Sequence, residues 1–429
     1  MYKKSFFSTL IITFFARGVA AFGALFLLIV LGQLYGADGV GVYALAQSVC
    51  LGSGILAKYG TDNALVRYVG ENYLCTNTKR YLCEAVISTF FLSCTVAIVV
   101  YVFKDNIGNF FDSKYLSEIL KGISIAIPAF TTCLVIAGFM KAVRKPATAC
   151  LLGNGISAFL VGIIIALDSI FTKIISIDDI GVVVALSSWL VLMYGLFETA
   201  RFFINKKLVQ EPERFDRKRF FISAGDYFVM SLSGFIQNVV AVAVAGMLLS
   251  SHELGLFKAA ERTAFLINFI LVVLNAILPP RFASLYREKK LEELSDLAKK
   301  GACLGFLLAL PMLLICFVVP ASVLTILGGE FTDAENLLRV IALGQLINVS
   351  TGSVGFLLNM TGHERLMRNL SLISSALGIV FLYLFINIMG VSGAAYALFL
   401  TLVMQNVAAL FFVKMKLGFW VLPMYRRSH

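Results

Sequence analysis

In a chain this apolar, the side chains able to do chemistry are few. Between residues 254 and 278, Lys258, Glu261, Arg262, Asn268 and Asn275 recur at spacings of three, four and seven, which places them on one helix face. Residues 220–249 repeat the idea with Asp226, Ser233 and Gln237, and residues 40–60 with Gln47, Gly54 and Lys58, followed by Thr61 and Asp62. Arg17 stands some ten residues inside the first apolar stretch, too deep for its stem to reach water easily. Cations on such faces suit an anionic ligand, and arginine suits phosphate best because its planar fork donates two parallel hydrogen bonds.

An ionisable group in mid-membrane costs about 2.5–3.5 kcal/mol on insertion scales, so those retained face a cavity or a partner. Arg17, Lys58, Lys258, Arg262, Gln47, Gln237 and Asn268 are therefore expected to line a polar cleft. Asp226, Glu261 and Asp62 are candidates for coupling to an ion, as carboxylates whose protonation changes between states. Each has a plainer alternative: Lys258, Glu261 and Arg262 as an internal salt bridge, Lys58 and Asp62 as snorkelling groups, Asp226 as a helix-start carboxylate. The amides Gln33, Asn238, Gln345, Asn348, Asn359, Gln405 and Asn406 read as hydrogen-bond glue between helices.

The elements that must position these groups follow from composition. Of 429 residues, 59% are hydrophobic and 14% charged, and mean hydropathy is +0.88; soluble chains run roughly 45–50% apolar and about 25% charged. At about 20 residues per span, twelve apolar stretches emerge: 8–34, 40–60, 83–103, 122–140, 147–167, 180–204, 220–249, 254–278, 301–327, 337–360, 370–389 and 393–413. The expected fold is an all-α integral membrane protein of about twelve transmembrane helices.

Alternate connections carry Arg67, Lys79 and Arg80; Lys141, Arg144 and Lys145; Lys206, Lys207, Arg214, Arg217, Lys218 and Arg219; Arg281 to Lys300; then Arg365 and Arg368. The others are acidic overall, with Asp38, Asp112, Asp178, Glu253 and Glu330 among them. This positive-inside pattern, with the basic tail Lys414, Lys416, Arg426 and Arg427, puts both termini in the cytoplasm.

The chain also looks duplicated. Val40-Gly41-Val42-Tyr43 aligns with Leu254-Gly255-Leu256-Phe257 at an offset of 214, as does Arg67-Tyr68 with Arg281-Phe282. Six spans per repeat gives two lobes of equal orientation, 1–204 and 220–429, related by a pseudo-two-fold axis along the membrane normal and joined by the basic linker 205–219. Pro128, Pro311 and Pro320 mark expected kinks, Pro279-Pro280 the expected end of the eighth span, and 281–300 an amphipathic surface helix.

The excess of 36 Lys plus Arg over 25 Asp plus Glu reflects loop bias and not nucleic-acid binding. Eight cysteines without a CxxC pair indicate neither a disulfide framework nor a metal cluster; no histidine has a partner at ligand spacing, and no cofactor is implied. The N-terminal stretch exceeds a signal-peptide core and reads as a retained helix. External connections under about twenty residues leave little room for a membrane enzyme's catalytic loop.

Gly39-Val40-Gly41-Val42-Tyr43-Ala44-Leu45-Ala46, Leu254-Gly255-Leu256-Phe257-Lys258-Ala259-Ala260-Glu261-Arg262 and Leu278-Pro279-Pro280-Arg281-Phe282 carry a resemblance that spans nearly the whole chain. The chain resembles the Wzx-type O-antigen and polysaccharide flippases of the multidrug/oligosaccharidyl-lipid/polysaccharide (MOP) exporter superfamily. That resemblance implies MATE-like six-helix lobes in a bacterial inner membrane. It implies alternating access, and passage of undecaprenyl-diphosphate-linked oligosaccharide to the periplasmic leaflet coupled to a proton or sodium ion. Membrane lipids and the polysaccharide polymerase and chain-length machinery are the implied partners. Arg17 matches a first-helix arginine common among lipid-linked-sugar flippases. A multidrug antiporter of the MATE type shares the fold, but cationic drugs call for a cleft dominated by carboxylates, and here cations are in excess.

Overall fold

The computed structural model describes residues 2–71, 73–171, 173–206, 209 and 216–421. Among them the chain is helical almost throughout and forms two compact units, Met1–Tyr35 with Val42–Val242, and Gly36–Gly41 with Ala243–His429. The boundary between units thus falls inside a helix, and a six-residue piece of the first two spans belongs to unit 2.

Unit 1 holds α1 (Tyr2–Lys58), α2 (Thr61–Glu71), α3 (Asn77–Phe110), α4 (Lys114–Ala142), α5 (Pro146–Leu151), α6 (Asn154–Phe171), α7 (Ile180–Asn205) and α8 (Arg217–Phe235). A π-helical turn, Ile236–Val240, leads into α9 (Ala241–Leu248). At its centre is α4, whose small residues Ala126, Ala129 and Ala137 are buried among α2, α3, α5 and α7. In contrast, Ile87, Phe91, Ile98 and Val102 project from α3, an apolar stripe that lipid would cover.

Unit 2 continues with α10 (Ser251–Phe265), a 3-10 turn at Leu266–Asn268, α11 (Phe269–Arg287), α12 (Leu291–Val318) and α13 (Pro320–Thr325). After a 3-10 segment, Gly329–Ala334, come α14 (Glu335–Thr351), α15 (Val354–Met360), α16 (Glu364–Met389) and α17 (Val391–Leu417). Leu278, Phe282, Leu294, Val354, Leu357 and Val413 form its core between α11, α12, α15 and α17.

Eight helical stretches among the described residues are long and apolar enough to cross a membrane. The first, Phe15–Lys58, covers two of the expected segments, and the expected segments 147–167, 220–249 and 254–278 fall on the shorter or interrupted helices α5–α6, α8–α9 and α10–α11. Every expected segment therefore falls mainly on helix, with breaks at 152–153, 319 and 352–353, and the protein is an all-α, multi-pass membrane protein.

Two local expectations fail. Pro279-Pro280 does not end its helix: α11 runs on to Arg287 because Leu278 and Phe282, on either side of the prolines, are both locked in the unit 2 core. Residues 281–300 are consequently not one surface helix but the end of α11 and the start of α12, separated by a turn in which Lys289 has φ 60°. Helices α4 and α12 continue through Pro128 and Pro311, whereas Pro320 opens α13 after the chain breaks at Val319.

Candidate functional site

In unit 1, α1 ends at Lys58 and the chain turns through Tyr59, φ 45°, and Gly60, φ 74°, into α2. That turn carries Lys58 and Asp62 past each other, and Lys58 Nζ lies 2.7 Å from Asp62 Oδ2 with both side chains mostly buried. The other carboxylate oxygen of Asp62 is buried without a hydrogen-bond partner. Thr61 Oγ1 stands 3.2 Å from Thr89 Oγ1 of α3. Gln47 lines a cavity of about 30 Å³ within unit 1, shared with Tyr43, Phe130, Ser157 and Ser188, enough for a single water. Arg17 and Asp226 are exposed on their helices, and neither makes an ion pair among the described residues.

In unit 2, Lys258, Glu261 and Arg262 lie on α10, Asn268 in the 3-10 turn and Asn275 on α11. Lys258 Nζ donates to Glu261 Oε2 at 2.5 Å and lies 5.7 Å from the centre of the Phe257 ring. Arg262 is exposed and joins no ion pair among the described residues. Asn268 closes the 3-10 turn, and its side-chain oxygen and that of Asn275 are buried without partners. Two buried acceptors on one face are places where a hydroxyl-rich ligand or water can donate. The glue amides of α14 and α17 are engaged: Asn348 Nδ2 reaches Gln345 Oε1 at 3.3 Å, and Thr351 Oγ1 reaches Asn406 Oδ1 at 3.3 Å.

The geometry thus brings Lys58 to Asp62 and Lys258 to Glu261, and leaves Arg17 and Arg262 as the candidate cations without an ion pair among the described residues. The side chains of Ser233 and Gln237 lie outside the described residues, as do Lys207, Arg214, Arg426, Arg427 and His429.

One buried charge lies outside the residues expected from the sequence. Glu198, deep in α7, is almost fully buried, with Lys145 Nζ 3.0 Å and Arg201 Nη1 3.2 Å from its two oxygens. Its spacing of three from Arg201 was a signal available in the sequence. Outside the spans, the α11–α12 turn carries an open groove lined by Arg281, Ser284, Glu293, Asp296 and Lys300. There hydrogen bonds from Lys290 and then Ser284 hold the Glu288 carboxyl below the usual carboxylate range, and the Glu288 carboxylate raises Lys290 above its ordinary value.

Helices of membrane-crossing length and apolar stripes facing outward define a multi-pass membrane protein. The chain belongs to the polysaccharide biosynthesis protein family, whose profile matches residues 3–286. The MatE profile matches residues 227–384. No curated protein matches the sequence.

Among solved structures, the lipid II flippase MurJ in an inward closed conformation is similar with a TM-score of 0.73 and 15% identity, over 95% of this chain and 87% of that one. An inward-facing MATE-family multidrug resistance transporter of the MOP superfamily gives 0.71 and 16%, over 94% of each chain. A MOP superfamily transporter from Pyrococcus furiosus gives 0.61 and 15%, over 95% and 94%. At these identities the likeness is one of fold.

Proposed function

We propose that the protein is a flippase that moves an undecaprenyl-diphosphate-linked oligosaccharide, the repeat unit of an O-antigen or related polysaccharide, from the cytoplasmic to the periplasmic leaflet of a bacterial inner membrane. The observation that carries this reading is the match of the polysaccharide biosynthesis family over residues 3–286. Side-chain chemistry supports it: a diphosphate needs cations, and Arg17 and Arg262 make no ion pair among the described residues while Lys58 and Lys258 are held by carboxylates. In this reading two six-helix lobes, 1–204 and 220–429, alternate in access with both termini cytoplasmic. Gln47, Gln237 and Asn268 meet sugar hydroxyls, and Asp62, Asp226 or Glu261 takes up the coupling proton or sodium ion. The flipped product passes to polymerase and chain-length machinery.

A MATE-type cation antiporter is the second reading, favoured by the MatE profile over residues 227–384. Deleting the gene decides between them. Loss of surface glycan with lipid-linked repeat units accumulating on the cytoplasmic side, restored by the wild-type gene, supports flipping. Intact glycan with new drug sensitivity supports the antiporter.

A further inference from the structure

The two helices that begin at residues 37 and 251 are equivalent at the repeat offset of 214, yet their N-termini are capped differently. A helix start leaves its first four amides without internal partners. At the second start, Ser250 and Glu253 form a reciprocal capping box: Glu253 N donates to Ser250 Oγ at 3.2 Å and Ser250 N to Glu253 Oε2 at 3.0 Å. At the first start the equivalent positions are Gly36 and Gly39, which have no side chain to cap with. Gly36 instead adopts φ 68° and ψ −168°, which breaks the helical path of α1. The freed amide of Ala37 donates to Glu330 Oε1 at 2.5 Å, a carboxylate 293 residues away in the Gly329–Ala334 segment. His252 Nδ1 lies 4.0 Å from the other oxygen of Glu330, so the two helix starts and this carboxylate form one cluster within unit 2.

We infer that Glu330 is a positioning residue for transport, supplying from a distant segment the cap that the first repeat lacks and so fixing the joint between the first two spans. A carboxylate at a helix start accepts the free amides and meets the positive end of the helix dipole. A local capping box travels with its own helix, whereas the Glu330 cap lasts only while Gly329–Ala334 and residues 36–41 stay together. The six residues it holds are the piece at which the chain leaves unit 1 and returns to it. The role in transport rests on the flippase reading; the contact itself does not.

The test combines Ala37→Cys with Glu330→Ala or Glu330→Gln in the full-length protein. Cells are labelled with a membrane-impermeant maleimide, read peptide by peptide by mass spectrometry, and their surface glycan is measured at matched membrane abundance. Ala37 is fully buried, so a cysteine there is shielded while the cap holds. Glu330→Ala is expected to raise labelling several-fold and to lower glycan output about tenfold, the scale of one charge-assisted hydrogen bond. Glu330→Gln retains an acceptor oxygen and is expected to stay within about twofold of Ala37→Cys alone. Unchanged labelling in Glu330→Ala, or equal behaviour of the alanine and glutamine variants, overturns the inference. Increased labelling with normal glycan output overturns the role in transport and leaves the contact standing. Should the Ala37→Cys protein export no glycan where the wild type also fails, the flippase reading falls while labelling still decides the contact.

Discussion

Gly41 and Gly255 cross as mutual partners: a Cβ on Gly41 would strike the carbonyl of Ser251, and a Cβ on Gly255 would strike the carbonyl of Ala37. The offset of 214 that relates Gly41 to Gly255 also relates Ala37 to Ser251. Each glycine therefore meets the repeat equivalent of its partner's neighbour, which is the contact pattern of a two-fold axis. Duplication noticed in the sequence becomes, at this crossing, a physical relationship inside unit 2.

Only hydrogen fits at either crossing position. Gly41→Val and Gly255→Val are each expected to destabilise the protein by about 1–3 kcal/mol through overpacking. Because both substitutions part the same two backbones, the double variant should lose less than the sum. Thermal midpoints in detergent, followed by fluorescence-detected size exclusion, measure all three; strict additivity would contradict a shared crossing.

The Lys58–Asp62 pair gives a second prediction. Lys58→Met leaves a mostly buried carboxylate with one oxygen already unpartnered, and removing one member of a buried pair costs about 3–5 kcal/mol. Replacing both, as Lys58→Met with Asp62→Leu, should restore much of that loss. A double-mutant cycle on the same thermal assay checks it. If the double variant is stable yet exports no glycan, the pair acts in transport as well as in folding.

What the sequence made legible was local. The spacing of Lys258 and Glu261 allowed their ion pair as the alternative to a cleft-lining face, because residues three apart share a helix face whatever surrounds them. The apolar stretches announced the helices for the same reason. Hidden from it were contacts that only tertiary packing creates: Glu330 with Ala37, 293 residues apart, and Glu198 with Lys145, 53 apart. The prolines misled in the opposite direction. Pro279-Pro280 carries a strong local stop signal, overridden by core packing on both sides of it. Lys58 and Asp62 were legible as neighbours, but snorkelling and pairing predict the same spacing, and only the fold distinguishes them.

Glu198 tests how burial ranks two partners of one carboxylate. Lys145 is mostly shielded at 34% exposure whereas Arg201 is 61% exposed, so water screens the arginine far more. Arg201→Ala is expected to cost under about 1 kcal/mol, and Glu198→Ala to cost less than Lys145→Ala, since deleting the cation strands the buried charge. Thermal midpoints at low and high salt measure this; a larger loss for Arg201→Ala than for Lys145→Ala would reverse the ranking.

Arg17 and Arg262 bear on the chemistry of transport itself. Both are exposed in their helices and neither makes an ion pair among the described residues, so little folding energy rests on either. Replacing either should therefore leave folding and membrane abundance near wild type. If they hold a diphosphate, Arg17→Ala and Arg262→Ala should each lower glycan export about tenfold or more, the scale of one charge-assisted contact. Lysine keeps the charge and loses the two-pronged fork, so Arg17→Lys and Arg262→Lys should recover export only in part. Quantitative glycan blots against membrane abundance distinguish the cases: full rescue by lysine means that charge alone suffices, and normal export by both alanine variants removes these arginines from the substrate path.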